Sequence, residues 1–353
     1  MPYAISRGEL KIVKDFIAEE GRRIIIFHRD ADGTASASLF MKIFPDFECV
    51  PLEVPKFEEK DKREIISRKP THLVILDLAI DQDRKSLFQI RKETKAKILI
   101  LDHHIVEKDL NGKDIFHLNP RFRERDAYIP TSYHAYRILE KIDKRIKDFC
   151  WISGIGVIGD YAFKECRDIL EECRKRFPDT IKNSPRESNL ALAGRLIYSA
   201  IILKGSRGAL KTLDILVSSA TFEEFFHNQT LNDWKSLVES EIKKMADDFE
   251  KNKKEYSENL IVYEIKSNLN LTSVLSTILA ERNPEKTIVI KKFSGKGWKV
   301  SLRNQSGVLT LDKVVKASVK GIGFGGGHEK AAGAYTTDWE TFLKRLQKNL
   351  KKA

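Results

Sequence analysis

Lys97-Ile-Leu-Ile-Leu-Asp-His-His104 is the stretch on which the fold reading turns. A short apolar run bounded by polar residues reads as a buried strand. This one ends in a carboxylate and two imidazoles. Ile24-Ile-Ile-Phe27 repeats the design by running into His28-Arg-Asp-Ala-Asp-Gly33, and Leu73-Val-Ile-Leu76 runs into Asp77. Carboxylates are rarely buried without a partner, and a divalent cation is a partner that three such strand ends can share. Doubly wound parallel sheets place their sites at the carboxyl ends of their strands.

The segments between these strands fit that architecture. Residues 8–20 predict an amphipathic helix, with Leu10, Val13, Phe16 and Ile17 on one face. An Asp-rich turn over 28–33 leads into a helix opening with Thr34-Ala-Ser-Ala-Ser38, whose small residues allow close approach to the sheet. A strand over 48–54 carries Pro51, and helices over 56–68 and 83–95 complete the βαβ alternation. Thr131, after Pro130, is the expected N-cap of a helix reaching about 140. A helix over 144–152 leads to Gly154-Ile-Gly-Val-Ile-Gly-Asp160, and residues 161–255 are nearly all helical in pattern. From 259 the pattern changes again. Strands are expected at 260–265, 287–290 and 298–303, and helices at 271–282, 311–318 and 338–350. The expected division is an α/β parallel-sheet catalytic domain (1–185), a helical connector (186–256) and a smaller C-terminal α/β domain (257–353).

Composition narrows the class. The chain has 353 residues, 41% hydrophobic and 32% charged, with a formal net charge of +12. That describes a folded protein with an anionic partner, nucleic acid above all. The four cysteines, Cys49, Cys150, Cys166 and Cys173, form no C-x-x-C pair, which argues against a disulfide scaffold or a zinc site and for a cytoplasmic setting. No apolar run approaches the roughly 18 residues of a membrane span, and no signal peptide is recognisable. The strings Gly154-x-Gly156-x-x-Gly159 and Gly321-x-Gly323-x-x-Gly326 lack the strand–turn–helix unit that nucleotide-cofactor binding demands.

The residues that end strands or sit in polar turns are His28, Asp30, Asp32, Asp77, Asp102, His103, His104 and Asp160. Mixed carboxylate and imidazole donors suit Mn²⁺, and less selectively Mg²⁺, Co²⁺ or Zn²⁺. Two ions about 3.5–4 Å apart activate water and stabilise the charge that develops in phosphoryl transfer.

His28-Arg-Asp30-Ala-Asp32-Gly33, Asp77 after Val-Ile-Leu, Asp102-His103-His104 and Gly159-Asp160 resemble, in order, the four motifs of the DHH phosphoesterase superfamily. Gly325-Gly-Gly-His328 with Ala331-Ala-Gly333 resembles the glycine-rich element of the associated DHHA1 domain. The form of the motifs is most similar to archaeal RecJ-like single-strand exonucleases. The resemblance implies a two-domain hydrolase with a dinuclear, manganese-type centre in the first domain. The second domain would hold the substrate. Asp30, Asp32, Asp77 and Asp160 would be ligands, with Asp77 bridging. His103 would be a ligand supported by Asp102, and His104 would lie near the scissile phosphate. His28 lies two residues before Asp30, whereas several branches of the family place this histidine four before.

The window 286–330 holds ten Lys/Arg against two Asp/Glu, so a nucleic-acid backbone is expected on the second domain. Gly325, Gly326 and Gly327 can offer backbone N–H groups to a phosphate, His328 and Arg303 can pair with it, and Phe324 or Trp298 can stack on a base. The expected activity is a Mn²⁺-dependent exonuclease on single-stranded DNA or RNA, with 3′→5′ polarity favoured by the resemblance. The alternatives are an oligoribonuclease or small-nucleotide (pAp, cyclic dinucleotide) phosphodiesterase, and a replication scaffold without catalysis. The resemblance adds a replication or repair partner such as a helicase, and homodimers are common among its members.

Overall fold

The computed structural model describes residues 3–182, 184–306 and 310–351. Two compact units divide at Lys235/Ser236.

The first unit opens with helix α1 (Arg7–Ala18) and strand β1 (Arg23–His28). There follow α2 (Ala31–Ile43), β2 (Glu48–Leu52), α3 (Glu59–Ser67), β3 (His72–Leu76), α4 (Arg84–Thr94), β4 (Lys97–Leu101) and β5 (Ile115–Leu118). All five strands are parallel, in the order β2-β1-β3-β4-β5. Pro51 falls in β2, at the sheet edge, where a missing N–H is tolerated. Alternation along β1 sends Ile25 and Phe27 to one core and Ile24 and Ile26 to the other. The second core is closed by Ile65 of α3 and Leu87 and Ile90 of α4. Because β2 and β3 flank β1 on opposite sides, the topological switch lies at β1, and α2 starts there.

The first core continues through α5 (Thr131–Glu140), α6 (Cys150–Gly159), α7 (Arg167–Arg176), α8 (Asn189–Lys204), α9 (Ser206–Ser218) and α10 (Phe222–Phe226). Residues expected to form a connector are therefore distributed: Leu190, Leu196, Leu213 and Phe225 are buried in this core, while α11 (Gln229–Asn252) runs across the unit boundary.

Three local expectations are corrected. The turn at 28–33 is the start of α2: Asp30 is its N-cap, accepting from the Gly33 N–H at 2.9 Å. Gly33 serves close approach, since a Cβ there would lie 2.1 Å from the His28 carbonyl oxygen. Thr131 is the first residue of α5, not its cap. The N–H groups of Thr131 and Ser132 are taken by Asp32 of α2, at 2.7 and 3.0 Å. Gly154–Gly159 lies inside α6, because Ile155, Val157 and Ile158 bury enough apolar surface to carry the glycines in a helix.

The second unit holds β6 (Lys254–Ser257), β7 (Leu260–Glu264), α12 (Thr272–Arg282), β8 (Thr287–Ser294), β9 (Gly297–Asn304), α13 (Leu311–Ser318), β10 (Gly323–Gly327), β11 (Ala331–Thr336) and α14 (Trp339–Leu350). Its sheet runs β10-β11-β9-β8-β7-β6, antiparallel except for β7 with β8.

Close approach of α2, α5 and α6 depends on Gly156, where a Cβ would lie 2.2 Å from Ser132 Oγ and 2.7 Å from Asp32 Oδ1. Gly156→Ala is expected to cost about 1–3 kcal/mol by overpacking. Differential scanning calorimetry reads this as a lowered Tm; an unchanged Tm would mean that these helices can separate freely.

Candidate metal centre

Adjacent strands deliver the donors. β1, β3 and β4 are neighbours, so His28, Asp77 and the Asp102-His103-His104 segment emerge side by side. Asp77 continues the sheet one residue beyond β3, its N–H donating to the Leu101 carbonyl at 3.0 Å. It then turns away with φ 60°, a left-handed conformation that aspartate tolerates better than most residues. From α2 come Asp30 and Asp32, and the end of α6 supplies Asp160, its C-cap.

Three donor groups result, each within 4.8 Å internally: His28–Asp30–Asp77, Asp77–His103–His104 and Asp32–His103–Asp160. They share Asp77 and His103. His103 Nε2 stands 3.2 Å from both Asp77 Oδ1 and Asp160 Oδ2. His28 Nδ1 is 2.9 Å from Asp30 Oδ2 and 3.5 Å from Asp77 Oδ2. Asp77 is 1% exposed.

Asp102 stands behind the cluster. It accepts from the His104 N–H at 3.2 Å, and its Oδ1 lies 2.7 Å from His104 Nδ1. That pairing holds the ring and leaves Nε2 for a ligand or substrate. Asn119 and Arg121 brace the same segment, with Asn119 Nδ2 donating to the His104 carbonyl at 3.0 Å and Arg121 Nε to the His103 carbonyl at 2.8 Å.

Electrostatics mark the cluster as strained by its own charges. Burial, then the Asp77 charge, push Asp32 up to about 7, and burial with Asp32 raises Asp160 well above the ordinary carboxylate value. Burial alone would lower His103, but hydrogen bonding to Asp77 and the charges of Asp77, Asp160 and Asp32 outweigh it and push the imidazole up to about 10. The same histidine contacts, with those of His28, overcome burial at Asp77 and hold it below its ordinary value.

These donors fit a divalent metal centre. They are all carboxylate or imidazole, no lysine or arginine pairs with any of the four aspartates among the described residues, and the buried Nδ1 of His28, which faces Asp30 and Asp77, has no hydrogen-bond partner. His28 Nδ1 and Asp30 Oδ2 are thus close without being aligned as a hydrogen bond.

Several residues at this site carry no sequence signal of their own. Thr131 Oγ1 donates to Asp77 Oδ1 at 3.3 Å, and the Tyr128 ring lies 5.5 Å from that of His103. Desolvation of the hydroxyls, and then nearby carboxylates, hold Tyr128 and Tyr198 above the ordinary tyrosine value: Asp160, Asp32 and Asp77 at Tyr128, and Asp30 and Asp160 at Tyr198. Isolated tyrosines far apart in sequence cannot be told from core aromatics until the fold gathers them.

The substrate-side residues lie in the second unit. Arg303 is half-buried and already engaged, donating to Thr277 Oγ1 at 3.1 Å, Ser273 Oγ at 3.0 Å and the Leu302 carbonyl at 2.9 Å. Gly325, Gly326 and Gly327 form strand β10, not an open anion loop. A Cβ on Gly325 would lie 2.8 Å from Val315 Cγ1, and the Gly327 N–H is taken by Asp312 Oδ1 at 2.9 Å. His328 is exposed.

A parallel sheet with carboxylates and imidazoles gathered at its strand ends, followed by a separate mixed-sheet unit, defines a two-unit α/β protein with a candidate metal centre. The chain matches the DHH family, N-terminal domain, over residues 22–155 and the DHHA1 domain over residues 257–353, and it belongs to the DHH/DHHA1 superfamily. No curated protein matches it. Among solved structures, RecJ from Thermus thermophilus in complex with Mn²⁺ superimposes with a TM-score of 0.78 at 14% identity, over 98% of this chain and 54% of that one. This chain thus spans little more than half of that protein's length. An exonuclease RecJ bound to manganese gives 0.70 at 13% identity, over 99% and 94%. CDC45 from Entamoeba histolytica gives 0.62 at 10%, over 98% and 99%. At such identities the likeness is one of fold.

Coordination requires deprotonated carboxylates and a neutral imidazole. Since Asp32, Asp160 and His103 hold protons more tightly than their free counterparts, metal uptake must displace them. Titration of the protein with Mn²⁺ in buffers of different ionisation enthalpy is expected to show net proton release, with affinity falling as pH falls. Binding without proton release would contradict the site geometry.

Proposed function

We propose that the chain is a phosphodiesterase that removes nucleotides stepwise from single-stranded DNA or RNA, with two divalent ions, Mn²⁺ foremost, as cofactors. One observation carries the reading: three donor groups joined through Asp77 and His103, in the first unit of a chain that matches both DHH and DHHA1 domains. Sharing of Asp77 between two groups supports its role as the bridge between ions. Bound ions would lower the pKa of water and neutralise charge on the phosphoryl oxygens.

The chain's own residues supply the rest. His28, Asp30, Asp32, Asp77, His103 and Asp160 hold the metal. His104, fixed through Nδ1 by Asp102, turns Nε2 toward the phosphate and donates to an oxygen as negative charge builds there. In the second unit, Arg303, Gly325, Gly326, Gly327 and His328 are the proposed substrate contacts. Because Arg303 donates to Ser273 and Thr277 and the Gly327 N–H to Asp312, substrate binding at these two would exchange internal hydrogen bonds for substrate ones. The 3′→5′ polarity and a replication or repair partner such as a helicase rest on the resemblance to RecJ-like proteins.

The test uses end-labelled single-stranded DNA and RNA of about 2 to 40 nucleotides, a range that brackets closed-pocket and groove-tracking substrates. Ladders from long strands are expected with Mn²⁺ and none with EDTA. Asp77→Ala is expected to lose more than the roughly 10–100-fold typical of supporting residues, and Asp102→Asn to fall within that range. Cleavage confined to the shortest substrates would replace this reading with an oligoribonuclease, and silence throughout, without metal uptake, with a scaffold.

A further inference from the structure

The sheet of the second unit has two unlike faces. One carries Val300, Leu302, Ala332 and Ala334 and is buried with Val314 and Val315 of α13 and Phe342 of α14. The other is covered only in part. There α12 packs on β8 and β9, with Ser276 and Ser301 hydroxyls 2.9 Å apart. Gly333 of β11, opposite Ser301, is exposed, and a Cβ on it would meet only the Val300 carbonyl oxygen, at 3.8 Å.

Strand register lines up four residues across this open part: Phe324, Tyr335, Lys299 and Lys292. Phe324 is 72% exposed, and its ring stacks on Tyr335 with centroids 5.5 Å apart and planes at 23°. Tyr335 lies across Gly297, where a Cβ would come within 2.8 Å of the tyrosine hydroxyl. The absent side chain thus seats the tyrosine, which backs the phenylalanine and leaves it largely open to solvent. Trp298, the other aromatic considered for stacking, points to the opposite face, where its ring sits 3.7 Å from Lys291 Nζ and 6.1 Å from Trp339.

Beside the aromatic pair, Lys299 and Lys292 stand directly opposite each other on adjacent strands, an arrangement that is unfavourable for like charges. Lys291, Lys286 and Lys316 of this unit pair with Glu264, Glu255 and Asp312; what sets Lys292 and Lys299 apart from its other lysines is that they face each other across adjacent strands. Among the described residues, no carboxylate pairs with Lys292 or Lys299. Lys292 Nζ donates to the Leu269 carbonyl and Lys299 Nζ to Asn270 Oδ1. Partial burial and the Lys299 charge hold Lys292 below the ordinary lysine value.

We propose that this open face, Phe324 on Tyr335 beside Lys299 and Lys292, is a platform for single-stranded nucleic acid, with a base stacked on Phe324 and phosphates neutralising the lysine pair. It deepens the phosphodiesterase reading, from which it takes only the identity of the polymer, and it extends the contacts proposed above along one sheet face, because Lys299, Ser301 and Arg303 alternate onto that face. The pairing of an exposed ring with unpaired cations selects this ligand. A duplex hides its base faces, and an inorganic polyanion has none.

The test is fluorescence anisotropy on the full chain in EDTA, so that binding is read without hydrolysis. The probe is a labelled thymidine oligonucleotide of about 12 nucleotides, beside an abasic strand of equal length that keeps the phosphates. Phe324→Ala is expected to weaken thymidine binding roughly tenfold and leave abasic binding unchanged, with Phe324→Trp restoring it. A Lys292→Gln, Lys299→Gln double variant is expected to weaken both probes and flatten the salt dependence. Matching thermal melts exclude misfolding. Equal thymidine binding by Phe324→Ala and the unaltered chain would overturn the platform, as would equal losses on both probes, which would leave a site for anions alone. Hydrolysis of bis(p-nitrophenyl) phosphate by the unaltered chain with Mn²⁺ separately tests the enzymatic reading: its absence beside stacking-dependent binding would remove the activity and keep the platform.

Discussion

Asp32 and Asp77 are carboxylates in the interior, and the first unit is built around what that requires. A buried carboxylate must find hydrogen-bond donors or positive charge, or take up a proton. Asp32 accepts from the first two N–H groups of α5, where the helix dipole favours negative charge, and Asp77 accepts from Thr131 and faces His28 and His103. Even so, the cluster remains over-supplied with acceptors, and Asp32 and Asp160 turn toward protonation. Divalent cations held there would remove that imbalance. The small residues of α2, Gly33 at its start and Gly156 across from it all serve to bring these groups close enough to share them.

The parallel sheet, the βαβ order and the strand-end carboxylates were legible because each leaves a local trace: an apolar β-branched run, then a polar residue that a core would not choose. What was not legible depended on partners distant in sequence. Gly33 looked like a turn former, whereas its role is close packing of α2 against His28. Thr131 looked like a cap, but the capping oxygens come from Asp32. β5, only four residues long with His117 inside it, has no pattern of its own and exists because it pairs with β4. The glycines at 325–327 have low strand propensity, and their strand is imposed by β11 and by α13, which leaves no room for side chains.

The two units use glycine to opposite ends. In the first it lets helices close over charged groups. In the second, at Gly297, it lets an aromatic ring lie flat, and at Gly333 it keeps a surface smooth. The candidate metal centre lies where backbone and side chains are held from several directions, and the proposed platform lies where the sheet is left open.

The bonds from Asp32 to Thr131 and Ser132 join residues 99 and 100 positions apart. Contacts of that span form only after the intervening chain has collapsed, so they belong to the slow end of folding. As the chain leaves the ribosome, β1 to β4 can pair before α5 and α6 exist, and the aspartates of α2 then stand without their donors. The donor cluster is thus completed only when α5 and α6 arrive, bringing the N–H groups that hold Asp32 and the carboxylate of Asp160.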